Sequence, residues 1–256
     1  MLDRELAVVF DGSLEGFLCV VYAHYYEQIT PLSIQREGQY QNTLYAEEYF
    51  ISTDFEKAAR VQRGIRKKIS HQAEDYISYA FLSEDDSCYM EIFKYLLLGF
   101  KLGKSVDCYL QEDCVLKVHK LARYVGREVH LLSGFSRFAE TKQGVFYCSI
   151  SPVNNVLPVL AEHFSDRMMN QAWVIHDKKR KLAAVYNGEH YAIGSVPDGA
   201  NFEYKDKELQ VQDLWRTFFN SVSIKERENK KLQRNLLPLY FRKSMLEFIP
   251  PRKKDS

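Results

Sequence analysis

The chain has 256 residues, 46% hydrophobic and 27% charged, a globular balance that leaves ample core and excludes a disordered or fibrous protein. Its formal net charge is +1, so any surface for nucleic acid has to be a local patch rather than a global field. The five cysteines (Cys19, Cys88, Cys108, Cys114 and Cys148) are odd in number, scattered and without C-x-x-C spacing, which reads as reduced intracellular thiols and not as a disulfide scaffold.

In chain order, the opening Met-Leu-Asp-Arg-Glu is acidic and lacks a cleavage site, so no signal peptide is expected. Leu6 to Phe10 is a short apolar strand ending at Asp11-Gly12. Ser13 is a helix cap, and the helix it opens runs to Gln28 and is closed by Thr30-Pro31. Within it, Phe17 to Ala23 is the longest apolar run, far too short to span a bilayer, and a cytoplasmic location is expected. Glu48 to Ser52 is strand-like and leads into Thr53-Asp54, a second cap, and a helix to about Ile69. Helical segments follow at roughly 72–82, 86–102 and 109–132.

The pattern then changes. Gly134 to Ile150 reads as a hairpin, with Phe135–Phe138 and Val145–Ile150 as arms and a turn near Lys142-Gln143-Gly144. A helix with Pro158 in its first turns spans about 155–169. Short strands follow at 172–176, 181–187 and 190–196, with Asn187-Gly188 as a hairpin turn. Amphipathic helices are expected at 208–227 and 230–246. The fold class is therefore α+β: an N-terminal helical region (1–132), a central antiparallel sheet of ββαβββ type (133–200), and C-terminal helices (201–248) packing back in one integrated domain. Residues 249–256 read as a disordered tail.

Three helix faces carry charge. On 54–69, Ala58, Val61, Ile65 and Ile69 form the apolar stripe, with Arg60, Arg63 and Lys67 opposite. That is ordinarily a solvated face, but acidic partners are nearly absent after Glu56. On 109–132, Val118, Leu121, Ala122, Val125, Val129 and Leu132 face the core, and His119, Lys120, Arg123, Arg127 and His130 lie on the other side with Glu128 at the flank. Five potential cations on one face repel one another unless an anion relieves them, and a phosphate backbone is the natural candidate. On 155–169, His163 and Arg167 stand one turn apart, away from the stripe of Leu157, Leu160, Ala161, Phe164 and Met168. In the strand at 172–177, alternation puts Trp173, Ile175 and Asp177 on one face and Val174 and His176 on the other. The C-terminal helices are basic, with Lys225, Arg227, Lys230, Lys231, Arg234, Arg242 and Lys243. Aromatic content of 14% suits stacking on bases, though core and sheet packing is the plainer reading.

Several stretches taken jointly resemble a known family: Asp11-Gly-Ser-x-Glu-Gly-Phe-Leu-Cys19, Thr53-Asp54-x-x-Lys57-Ala58-x-Arg60-Val61, and Arg127-Glu128-Val-His130 followed by Gly134-Phe-Ser-Arg137-Phe138. So do Leu157-Pro-Val-Leu-Ala-Glu-His163-Phe164-x-x-Arg167, Trp173-Val-Ile175-His176-Asp177-x-x-Arg180 and Phe219-x-x-Val-x-Ile224-x-Glu226-Arg227-x-Asn229. In this order, from about Leu6 to Phe248, they are similar to the bacterial "probable DNA metabolism protein" family. The family has Asn-Pro-Lys-Leu-Gln where Asn229–Gln233 stands here, and Met-Pro followed by Trp where Leu237-Pro238 and Phe241 stand. The resemblance implies a DNA-repair context, a radical SAM protein as partner, and a link to uracil-DNA glycosylases.

Three functions are compatible with this. The first is a DNA-binding repair or accessory protein that grips single-stranded or damaged DNA with Arg60, Arg63, Lys67, Lys120, Arg123, Arg127 and Arg167. The resembling motifs add Arg137, Arg180 and Arg227, and His130 and His163 would face the strand. The second is a hydrolase, a nuclease or glycosylase-like enzyme, with Glu128, His130, His163 and Asp177 as acid–base groups. No H-E-x-x-H, P-loop, Gly-x-Ser-x-Gly or radical SAM cysteine cluster supports it. The third is a docking partner of the radical SAM protein without DNA affinity. No cofactor is demanded; Cys108 and Cys114 are too far apart for a closed zinc site, and a carboxylate–histidine set of Glu128, His130 and His163 is the better metal candidate.

Overall fold

The computed structural model describes residues 6–38, 47–196, 203–222 and 229–249. The fold is α+β, with a three-stranded sheet and a five-stranded sheet in separate units that divide between Gly126 and Arg127. No helix among the described residues is long and apolar enough to cross a membrane.

In the first unit, β1 (Leu6–Phe10) is apolar throughout, and Ala7 to Phe10 are fully buried, as a central strand requires. It pairs in parallel with β2 (Pro31–Arg36) on one side and β3 (Glu47–Ile51) on the other, in the order β2-β1-β3. The connection from β1 to β2 is α1 (Leu14–Glu27), closed where Gln28 takes a left-handed φ of 58°. Parallel pairing here, and β2 itself, are additions to the sequence reading. Only Pro31 and Ile34 of β2 are buried, so its sequence carries almost no alternation signal. Pro31 stands at the strand's first position, where a missing N–H costs little.

Next come α2 (Phe55–Gly64), a π-helical turn (Ile65–Ile69), α3 (His71–Phe81) and α4 (Cys88–Leu102). Their buried faces meet β1 and α1 in one core. Within it the Phe10 and Tyr89 rings pack edge to face at 5.1 Å.

The C-terminal ends of β1 and β3 are joined by side chains. Ser13 caps α1 by accepting from the Gly16 N–H at 2.9 Å, and Asp54 caps α2 by accepting from Glu56 and Lys57. Asp11 lies between the two caps. One oxygen accepts from the Ser13 N–H and hydroxyl at 2.9 and 2.6 Å, the other from the Thr53 hydroxyl at 2.7 Å. Burial works against the charge, yet these hydrogen bonds outweigh it and hold the Asp11 carboxyl below its usual range. Gly16 lies against this cluster: a Cβ there would come within 2.3 Å of Asp11 Oδ1 and 2.8 Å of Thr53 Oγ1.

The chain passes into the second unit along α5 (Asp113–Phe135). There β4 (Ala139–Glu140), β5 (Phe146–Ile150), β6 (Trp173–Asp177), β7 (Leu182–Tyr186) and β8 (Tyr191–Ser195) lie in sequence order across one sheet. The sheet is mixed where an antiparallel one was expected. β5 and β6 run parallel, joined through α6 (Leu157–Arg167), while the other pairs are antiparallel. A helix between two strands permits either arrangement until it is known which side of β5 the chain returns to. The first arm of the expected hairpin, Phe135–Phe138, is not a strand: α5 continues to Phe135, residues 136–138 are irregular, and the short β4 follows them. Both turns form as expected: Gly144 has φ 80° and Gly188 φ 103°, and the Asn187 side chain accepts from the N–H groups of Glu189 and His190. After α7 (Asp206–Val222) and α8 (Lys230–Leu236) the chain turns through short 3-10 segments rather than continuing one helix to residue 246. The tail from Pro250 and residues 223–228, including Lys225 and Arg227, lie outside the described residues.

Replacing Gly16 by Ala forces the Asp11–Ser13–Thr53 cluster apart and is expected to cost about 1–3 kcal/mol. Urea unfolding reads this as a lowered midpoint; an unchanged midpoint contradicts the packing described.

Candidate functional site

The four acid–base candidates separate into two kinds. Glu128 is buried on α5, and its two oxygens accept three hydrogen bonds: from the Val153 N–H at 2.7 Å, the Asn154 N–H at 2.9 Å and the Asn154 amide at 2.7 Å. Asp177 ends β6 fully buried. It accepts from the Lys179 N–H at 3.0 Å and pairs with the Arg180 guanidinium at 2.8 Å. The two sites meet at one loop, between β5 and α6. Arg180 donates to the Pro152 and Val153 carbonyls, and Lys179 Nζ to the Val153 carbonyl at 2.9 Å. Glu128 takes the N–H groups of that loop and Arg180 its carbonyls, so both carboxylates fasten the start of α6.

His130 and His163 take no part in this network. His130 is exposed on α5. His163 is half-buried on α6, edge-on to Phe164 at 4.9 Å, with its Nε2 buried and unbonded. Among the described residues no three His, Cys, Asp or Glu side chains gather as metal ligands, so Glu128, His130 and His163 do not form the set considered above.

The candidate cations also sort by what they touch. Arg180 is occupied as described. Arg137 is paired with Glu247 at 2.9 Å, donates to the Gly134 carbonyl at 3.0 Å and lies over the Trp215 ring. His119 leaves the cationic face of α5: its Nε2 meets Asp107 at 2.8 Å and its ring lies 4.3 Å from that of Tyr76. Arg60, Arg63, Lys67, Lys120, Arg123, Arg127 and Arg167 are exposed.

Four exposed groups stand together on α5. Lys120, Arg123, Arg127 and His130 follow one another at steps of three, four and three, which places them in an arc of roughly 80° along about 15 Å of helix. The exposed Tyr124 borders the arc. Among the described residues none of the four has a carboxylate partner, and Arg127 only donates to the Asn235 carbonyl at 3.3 Å. The opposite side of the helix is the apolar stripe of Val118, Leu121, Ala122, Val125, Val129 and Leu132, all buried. A hydrophobic stripe therefore turns the cations outward.

One pair escaped the sequence reading. The Tyr147 hydroxyl and His176 Nδ1 lie 2.9 Å apart across the parallel strands β5 and β6. The alternation placing His176 opposite Asp177 was visible, but its partner depended on the parallel register. Burial pushes the Tyr147 phenol up to about 12 and holds the His176 imidazole below its usual range, with Lys178 acting in the same direction and Asp177 opposing.

Fold and surface together define an α+β protein with a cationic helix face that no acid among the described residues relieves. The chain belongs to the family of the domain of unknown function DUF4130, whose model matches residues 87–247. No curated protein matches the chain.

Glu128→Ala leaves two loop N–H groups without an acceptor and is expected to lower stability by about 2–3 kcal/mol in urea titration. An unchanged midpoint contradicts the fastening role. For His176 the folded value is the lower one, so the unfolded chain takes up more protons as pH falls through the ordinary imidazole range. Stability should therefore fall between about pH 7.5 and about pH 5, and His176→Gln should flatten that fall. An equally steep loss in the variant contradicts the assignment.

Proposed function

We propose that the protein binds DNA through its phosphate backbone, acting in DNA metabolism or repair. The observation that carries the reading is the α5 arc of Lys120, Arg123, Arg127 and His130, exposed and without an acidic partner among the described residues. Like charges one helical turn apart destabilise the helix unless an external anion relieves them, and a polyanion relieves several at once. Such contacts supply affinity and position, not sequence choice. Arg60, Arg63, Lys67 and Arg167 are further exposed cations that backbone contacts can use. The hydrolase reading receives less support, because Glu128 and Asp177 have their oxygens engaged by the loop at 152–154 and the turn after β6. A radical SAM protein as partner enters the proposal from the family resemblance and not from the geometry; copurification after coexpression tests it.

Fluorescence anisotropy with labelled oligonucleotides at stepped salt concentrations tests the DNA reading. The full chain is expected to bind with affinity falling steeply as salt rises. The Arg123→Ala/Arg127→Ala double variant should bind more weakly and reduce the slope of log K against log salt by about two. Absent or salt-independent binding contradicts the reading.

A further inference from the structure

Where α1 packs against α2 in the first unit, four side chains form a stack. Tyr22 and Tyr26, one turn apart on α1, lie face to face with centroids 4.4 Å apart and planes inclined by 22°. One face of each ring is thus taken by the other, and a cation from α2 lies over each ring. Lys57 Nζ lies 5.1 Å from the Tyr22 centroid and the Arg60 guanidinium carbon 4.5 Å from that of Tyr26. Lys57 is also paired with Glu27 at 2.8 Å. Arg60 has no carboxylate partner among the described residues. Its guanidinium lies over the Tyr26 ring and has no hydrogen-bond partner among the described residues, so part of the ordering entropy of binding is already met.

Beside this stack is an open groove of about 690 Å³, lined by Tyr22, Phe55, Glu56, Lys57, Arg60 and Arg63 among others. Phe55, at the first turn of α2, is 74% exposed, the most exposed large apolar side chain among the described residues. Packing against its own protein does not explain an aromatic ring in that position. Arg63 follows Arg60 one turn later with no ion-pair partner among the described residues, and Lys67 continues the exposed cationic line into the π-helical turn. A ring with free faces, a planar guanidinium and a line of cations together suit a ligand that offers base faces and phosphates side by side. A single strand offers both; in a duplex the base faces are stacked away.

We propose that this groove between α1 and α2 is a binding site for single-stranded nucleic acid, with a base stacked on Phe55 and the phosphates on Arg60, Arg63 and Lys67. The proposal rests on the nucleic-acid reading above and deepens it by naming the form bound. Among the described residues Glu56 is the groove carboxylate with neither a cation nor a cap to occupy it, and it opposes the strand.

The test is anisotropy of the full chain with a labelled single strand and with its duplex, for the wild type, Phe55→Ala, Arg60→Ala and Glu56→Gln. Phe55→Ala is expected to weaken single-strand binding about ten-fold and to leave duplex binding within about two-fold. Arg60→Ala should weaken single-strand binding likewise, and Glu56→Gln should strengthen it. Phe55 is so exposed that its loss should leave the melting temperature unchanged, and that measurement accompanies the titration. Unaltered binding in both Phe55→Ala and Arg60→Ala overturns the groove and leaves the α5 face standing. Equal losses on single strand and duplex overturn the stacking role. If the wild type binds neither, the nucleic-acid reading itself fails and the groove proposal with it.

Discussion

The Glu128 carboxylate is buried with no cation partner among the described residues, held by three N–H donors of a loop 25 and 26 residues further along the chain. Burying polar oxygens costs free energy unless hydrogen bonds replace those to water, and these three bonds hold α5 and the loop before α6 together. On the helix, Glu128 flanks the buried stripe that runs from Val118 to Leu132. Within the second unit the rotation of α5 about its axis is thereby set twice, by the burial of Val129 and Leu132 and by a polar anchor, and both settings leave Arg127 and His130 pointing outward. The same loop is gripped from the other side by Arg180, itself positioned by Asp177 at the end of β6. Two carboxylates that resemble acid–base chemistry in the sequence thus serve to position the elements that carry the exposed cations.

What was legible in the sequence was local. Ser13 and Asp54 act as caps, and Asn187-Gly188 and Gly144 as turns, because each feature needs only its near neighbours. The apolar stripe of α5 was equally plain from its spacing. Features that depend on distant partners were not legible. β2 is a strand because β1 offers it an open edge, not because of its own alternation, and the parallel pairing of β5 with β6 follows from where the chain returns. His119 was placed with the exposed cations on angular grounds alone, yet Asp107, twelve residues earlier, draws it inward. Arg137 and Arg180 are candidate DNA contacts through the family resemblance, and acceptors of the protein itself occupy both: Glu247 for Arg137, and Asp177 with the Pro152 and Val153 carbonyls for Arg180.

The two surfaces that remain open differ in chemistry. The α5 arc is cationic with a single bordering tyrosine, the arrangement suited to a backbone contacted from outside. The groove beside α2 mixes rings with cations, which suits exposed bases. The family match begins at residue 87, so it includes the α5 arc and leaves out Tyr22, Tyr26, Phe55 and Arg60. The arc is therefore the feature to seek in other DUF4130 proteins, and the groove belongs to the part of this chain before that domain.

Chemical footprinting of lysines by mass spectrometry tests the central claim most directly, because it locates the contact without altering the protein. With saturating DNA present, acetylation of Lys120 should be strongly suppressed, while an exposed lysine on another helix, such as Lys94, keeps its reactivity. Equal modification of Lys120 with and without bound DNA would contradict the assignment of the α5 face.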